Sequence, residues 1–265
     1  MLGRALKMAF WVVYDHTGKL LAANLLWALI VLVPGSIAAS CILSGNPAVQ
    51  LFLGVPGALL TALAGFPVMA VGVAHMAKQL IERKDGSLGD LFAGIRLYWR
   101  RAIGVGGILA IALTCLTTSV WFYASKLNEV APIVGYALSA LALWGVLLVL
   151  LTGLYAFPAL AQKRAGVVAT LKLSILLVLA NPFLSIGLGL QVCALGVIAL
   201  LLPPFLFFLY GSVVMVLMSS AYELLARKYA TPDSAEGPTK TIAPDDSQDD
   251  YLNRGVRDAL FPWKG

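Results

Sequence analysis

Apolar residues in this chain come in long unbroken blocks, and the charged residues fall almost entirely between them. That is neither the strict alternation of a half-buried strand nor the periodic stripe of a soluble helix. Uncharged runs of about 18 residues or more are long enough to cross hydrocarbon at 1.5 Å rise per residue. They occupy 20–43, 48–74, 102–125 and 132–160. A last uncharged stretch, Leu173 to Tyr222, is roughly twice the length one crossing needs. It therefore turns back on itself, with Pro203-Pro204 as the turn and spans over 176–202 and 204–222. The pattern predicts an all-α, polytopic membrane helix bundle of six transmembrane helices, filling an integral domain over 1–229.

One connection has a pattern of its own. "GSLGDLFAGIRLYWRRA" (86–102) opens on Ser87 followed three residues later by Asp90, a capping-box variant that starts a helix near Leu88. Along 88–101, Leu91, Phe92, Ile95 and Trp99 share an apolar arc with Tyr98, while Arg96, Arg100 and Arg101 lie outside it. Rings at the acyl boundary and guanidinium groups near phosphates describe an amphipathic helix lying in the headgroup plane. The spacing predicts a cytoplasmic interfacial helix over 88–101, and residues 2–15 read as a weaker version ahead of the first span.

Composition agrees with the pattern: 60% of residues are hydrophobic, 12% are charged and the mean hydropathy is +0.88. Charge adds orientation. Of the 19 Lys and Arg residues, only Lys126 falls in the three connections on one side. Basic residues are retained in the cytoplasm, so both termini and the connections after the second and fourth spans are expected there. The net charge of +6 is then a topology and lipid-headgroup signal, with no soluble basic domain to serve a nucleic-acid partner. "SIAASC" (36–41) only loosely imitates a cleavage box, and no cleavage is expected. Cys41, Cys115 and Cys193 sit apart within apolar spans and read as small hydrophobes, with neither a disulfide nor a metal to hold.

Beyond the last span the composition shifts. Residues 230–251 are rich in Asp, Pro and Ser with almost nothing to bury, which predicts a disordered acidic linker. A short cytoplasmic C-terminal motif, 252–265, restores Arg257, Phe261 and Trp263, residue types that anchor a partner.

The chemistry is sparse. No paired carboxylates, metal-ligand spacing, glycine-rich phosphate loop or nucleophile elbow is present, so neither an enzyme nor a bound cofactor is expected. No ionisable residue lies deep in a span, where ion coupling would place one. Asn24, His75, Asn181 and Gln191 are the polar candidates for a substrate path, interhelical hydrogen bonding being the other use of such residues.

"NLLWALIVLVPG" (24–35), "GFPVMAVGVAHMAKQLIERKDGSLGDLF" (65–92), "YWRRAIGVG" (98–106), "ANPF" (180–183) and "FPWKG" (261–265) together resemble the YesL-like family of bacterial membrane proteins, a domain of unknown function. That resemblance implies an association with carbohydrate uptake systems and brings no functional residues with it. Two functions stand at this point: a non-enzymatic accessory or scaffold protein acting on a membrane transporter, or a small-solute or lipid transporter with an uncharged pathway.

Overall fold

The computed structural model describes residues 1–127, 131–163, 166–229 and 250–254. These form nine helices and no strand: α1 (Leu2–Asp15), α2 (Thr17–Leu43), α3 (Pro47–Arg83), α4 (Leu88–Leu127), α5 (Pro132–Lys163), α6 (Val167–Ala180), α7 (Pro182–Leu201), α8 (Pro203–Tyr229) and the short α9 (Asp250–Asn253). Six of them, α2, α3, α4, α5, α7 and α8, are long and apolar enough to cross a membrane. The chain is an all-α helical bundle of the multi-pass membrane class.

Several spans are not uniform α-helices. Short π-helical turns occupy Ala28–Leu32, Gln50–Gly54 and Thr61–Gly65, and Pro34, Pro56 and Pro67 each follow by two residues. A proline ring clashes with the carbonyl four residues earlier and offers no N–H to it. Here those carbonyls belong to Ile30, Phe52 and Leu63, the central residue of each π turn. Widening the turn relieves the clash without ending the helix, the usual resolution where no water can satisfy a broken ladder.

The ends differ sharply in packing. The termini of α1, α3 and α8, the start of α4 and the described tail meet at one end, called here the basic end. Its side chains are buried among protein, including Met8, Leu80, Leu91 and Leu225. Toward the opposite, far end, large apolar side chains such as Leu51, Phe52, Trp121, Ile133, Trp144 and Leu200 are exposed. Exposure of that kind on a membrane bundle is contact with hydrocarbon.

Two elements depart from the sequence expectation. The segment 88–101 is not a separate interfacial helix: it forms the first turns of α4, whose α-helical part runs unbroken from Leu88 to Phe122 over 35 residues. That is about 52 Å at 1.5 Å per residue. Nothing between Arg101 and Gly104 breaks a helix, and the segment is held against α3 rather than released to the headgroup plane. Gly94 and Gly72 allow that approach, since a Cβ on either would lie 2.5 Å from His75 Cβ and 2.7 Å from Ile95 Cγ1 respectively. The capping box itself is formed, with the Ser87 N–H donating to Asp90 Oδ2 at 2.8 Å.

The other departure is the fifth span, which begins at Pro182 rather than at 176. Pro182 drives Asn181 out of the α region, to φ −138° and ψ 62°, and the helix breaks. Upstream, α6 is only 14 residues, about 21 Å, against a hydrocarbon core of about 30 Å. It begins with Val167 against Gly104 and ends beside Asn181, which bonds Lys228 and Tyr229 at the end of α8. The turn expected at Pro203-Pro204 is present, with Leu202 non-helical between α7 and α8. Beyond 222, α8 continues to Tyr229.

Candidate functional site

The polar candidates do not converge. Asn24, fully buried, is a fastener: its Nδ2 donates to the carbonyls of Leu206 (3.1 Å) and Phe207 (2.8 Å), and its Oδ1 accepts from the Ser212 N–H (2.9 Å). Leu206–Tyr210 is another π turn, this one with no proline downstream to cause it. The Asn24 amide occupies the opened ladder and so ties the first span to the last. Ser212 Oγ completes the tie by donating to the Leu20 carbonyl at 2.9 Å. Gly211 makes room for it, since a Cβ there would lie 2.9 Å from Asn24 Oδ1.

His75 and Asn181 also serve joints between helices. His75 packs over Gly94 with its ring 5.8 Å from that of Tyr98, inside the α3–α4 contact. Asn181 Oδ1 accepts from Lys228 Nζ at 3.0 Å. Gln191 is half-buried on α7. The deep Tyr155 and Ser185 hydroxyls bond each other at 3.1 Å across α5 and α7.

At the basic end, the residues proposed to face lipid divide. Leu91 is in the protein core and Ile95 lies half-buried on Gly72, whereas Phe92 and Trp99 stay exposed. The Arg100 guanidinium stands 5.1 Å from the Trp99 ring, and Arg96 and Arg101 are exposed with it. On α1, Trp11 and Met8 are buried against protein, so this helix also docks on the bundle.

The described tail docks there too. Tyr251 is 2% exposed, under the ammonium of Lys84. Lys7 Nζ donates to the Leu252 carbonyl, and Arg254 pairs with Asp15 while lying 5.2 Å from the Trp11 ring. Nearby, Lys19 pairs with Asp85 at 3.0 Å, and this hydrogen bond holds the Asp85 carboxyl below its ordinary pKa. Burial, helped by Lys19, lowers the pKa of His16. Arg257, Phe261 and Trp263, and residues 230–249 of the expected linker, lie outside the described residues.

A central chamber was not anticipated. Its volume is about 370 Å³, and every one of the six spans contributes to its wall: Trp27, Pro67, Gly106, Gly153, Val192 and Met215. The rings of Phe66 and Phe157, each followed by a proline, meet edge to face at 5.9 Å beside it. Only Tyr210, with its hydroxyl, and Trp27, with its indole N–H, bring a side-chain O–H or N–H to the lining. None of Asn24, His75, Asn181 or Gln191 reaches it, and no group of three metal-binding side chains exists among the described residues. The chamber therefore has no acid, base or ion ligand, and what it offers is room for apolar matter.

No sequence signal marks the chamber, because it depends on which faces of six helices meet. The break before α7 did have one, the Asn181-Pro182 pair. No protein-family model, curated protein or solved structure matches the chain.

Proposed function

We propose that this is a non-enzymatic accessory or scaffold protein of a bacterial inner membrane, with the basic end and both termini in the cytoplasm, acting on a membrane transport partner. The observation that carries this reading is the fate of the polar residues. Asn24, Asn181, Tyr155 and Ser185 all bond neighbouring helices and none of them lines the chamber, so these residues serve the packing of the bundle rather than a path for a hydrophilic solute. The features that remain available for recognition lie at the basic end, where α1, the α3–α4 turn and the tail form one packed layer. The resemblance to the YesL-like family makes carbohydrate uptake the system to examine first.

Orientation is tested with topology reporters. Fusions after Ser44 and Glu129 are expected to report the outside, and those after Lys84, Lys163 and Tyr229 the cytoplasm. An inward report after Glu129 would overturn the six-span orientation. Association is tested by purifying the full chain and a form lacking 231–265 in a mild detergent. The full chain should retain a membrane transporter that the shortened one loses, and protein in liposomes should show no proton- or sodium-driven sugar uptake. Ion-driven uptake with unchanged partner recovery would favour a transporter instead. The chamber is the feature that favours a lipid transporter, but Leu160 and Tyr222, nearly inaccessible, follow its lining residues toward the basic end.

A further inference from the structure

We infer that the central chamber binds one acyl chain of a membrane phospholipid, admitted sideways from the far half of the bundle. The inference goes beyond the accessory role and does not depend on it.

Size comes first. An apolar cavity of about 150 Å³ takes one benzene and stays dry when empty, and this one is about 370 Å³. A length of alkyl chain fits that space. A helix from a partner, about 10–12 Å across with its side chains, does not.

Lining chemistry narrows the occupant further. A wall whose side-chain polar groups are one hydroxyl and one indole N–H in an otherwise apolar lining offers water at most the low end of the two to four partners it needs, and it gives an ion no charged ligand. Hydrocarbon loses nothing there and regains the close contacts that the surrounding side chains otherwise lack.

Access points to the bilayer as the source. Phe66 and Leu150 line the chamber and are also 42% and 53% exposed, so the wall is open where the helices meet lipid. On the other side Val73 and Leu154 are 2% and 7% exposed and back onto the packed core. The chamber is thus a blind recess facing hydrocarbon, and a chain of the adjoining leaflet can enter it while its headgroup stays at the surface.

Gly153 provides the means to test this. It lines the chamber, and a Cβ added to it meets nothing within 4 Å. Gly107 is similarly open but lines no part of the chamber, which makes it the matched control. The full-length protein, purified in mild detergent and exchanged extensively, is expected to carry one phospholipid by native mass spectrometry. Gly153→Phe should lose it and keep its thermal transition, whereas Gly107→Phe should retain it. Retention by Gly153→Phe would assign the lipid to the outer surface and overturn the inference, as would wild-type protein carrying detergent alone.

A second measurement does not require Gly153→Phe to fold. Trp27, only 9% exposed, stands in the chamber wall. In a variant keeping Trp27 while the other tryptophans become Phe, phospholipids brominated along the acyl chain should quench its fluorescence in liposomes. Water-soluble quenchers should not. Absence of quenching by the brominated chains would show that none enters.

Discussion

Asn24→Ala is expected to destabilise the folded protein by about 3 kcal/mol, since it removes at once three hydrogen bonds made by one fully buried side chain to main-chain groups of another span. The side chain is fully buried and makes three hydrogen bonds to the opened turn at Leu206–Tyr210. Removing it leaves the Leu206 and Phe207 carbonyls and the Ser212 N–H without that partner, in a setting where water is scarce. Hydrogen bonds between membrane helices average only about 0.6 kcal/mol in mutant cycles, because the separated helices find other partners. The larger figure applies because the partners here are main-chain groups of a widened turn, which cannot rotate toward a substitute. Asn24→Asp separates the contributions: it keeps an acceptor for Ser212 but places an oxygen against two carbonyls. Its cost should match or exceed that of Ala. Thermal unfolding in detergent, followed by loss of helical circular dichroism, reads both variants. A change below about 0.5 kcal/mol, the usual range of a surface substitution, would mean that the turn holds without Asn24.

The same residue illustrates how far the sequence could be read. Asn24 is visible as a polar residue in an apolar span, and hydrogen bonding between helices is one of its two expected uses. Its partner is not visible, because the partner is a main-chain defect 182 positions away that no residue type announces. Span number and the turn at Pro203-Pro204 were legible because both rest on local properties, length without charge and a pair of prolines. The start of the fifth span was misplaced for a related reason. Uncharged residues run on through Asn181-Pro182, so the count of apolar residues outweighed a two-residue break. In the case of 88–101, the amphipathic pattern was sound, but periodicity does not say what covers the apolar arc. Leu91 and Ile95 meet α3, while Phe92 and Trp99 remain outside. The chamber lies furthest from local reading. Each span supplies part of its wall, and small residues such as Gly106 and Gly153 do different work in it, the first admitting a neighbouring helix and the second leaving space.

That difference between glycines yields the other large expected effect. Gly106→Ala should cost about 3 kcal/mol, whereas Gly107→Ala, one residue along the same helix, should be neutral or stabilising. A Cβ at Gly106 would stand 2.3 Å from Pro67 Cγ and 2.8 Å from Pro67 Cβ, inside any permitted contact. Relief by rotation is unavailable, because the proline ring is closed on its own backbone and sits two residues after the π turn at Thr61–Gly65. The helices α3 and α4 must then separate, in a contact already drawn close at Gly94 and Gly72. Overpacking of this kind typically costs about 1–3 kcal/mol, and a rigid neighbour puts it at the upper end. At Gly107 nothing lies within 4 Å of the added Cβ, so only the helix preference for Ala over Gly remains, about 1 kcal/mol in favour. Both variants are scored by thermal unfolding in one detergent. Equal stabilities would mean that Pro67 does not bear on Gly106, and the close antiparallel packing of α3 on α4 would fall with it.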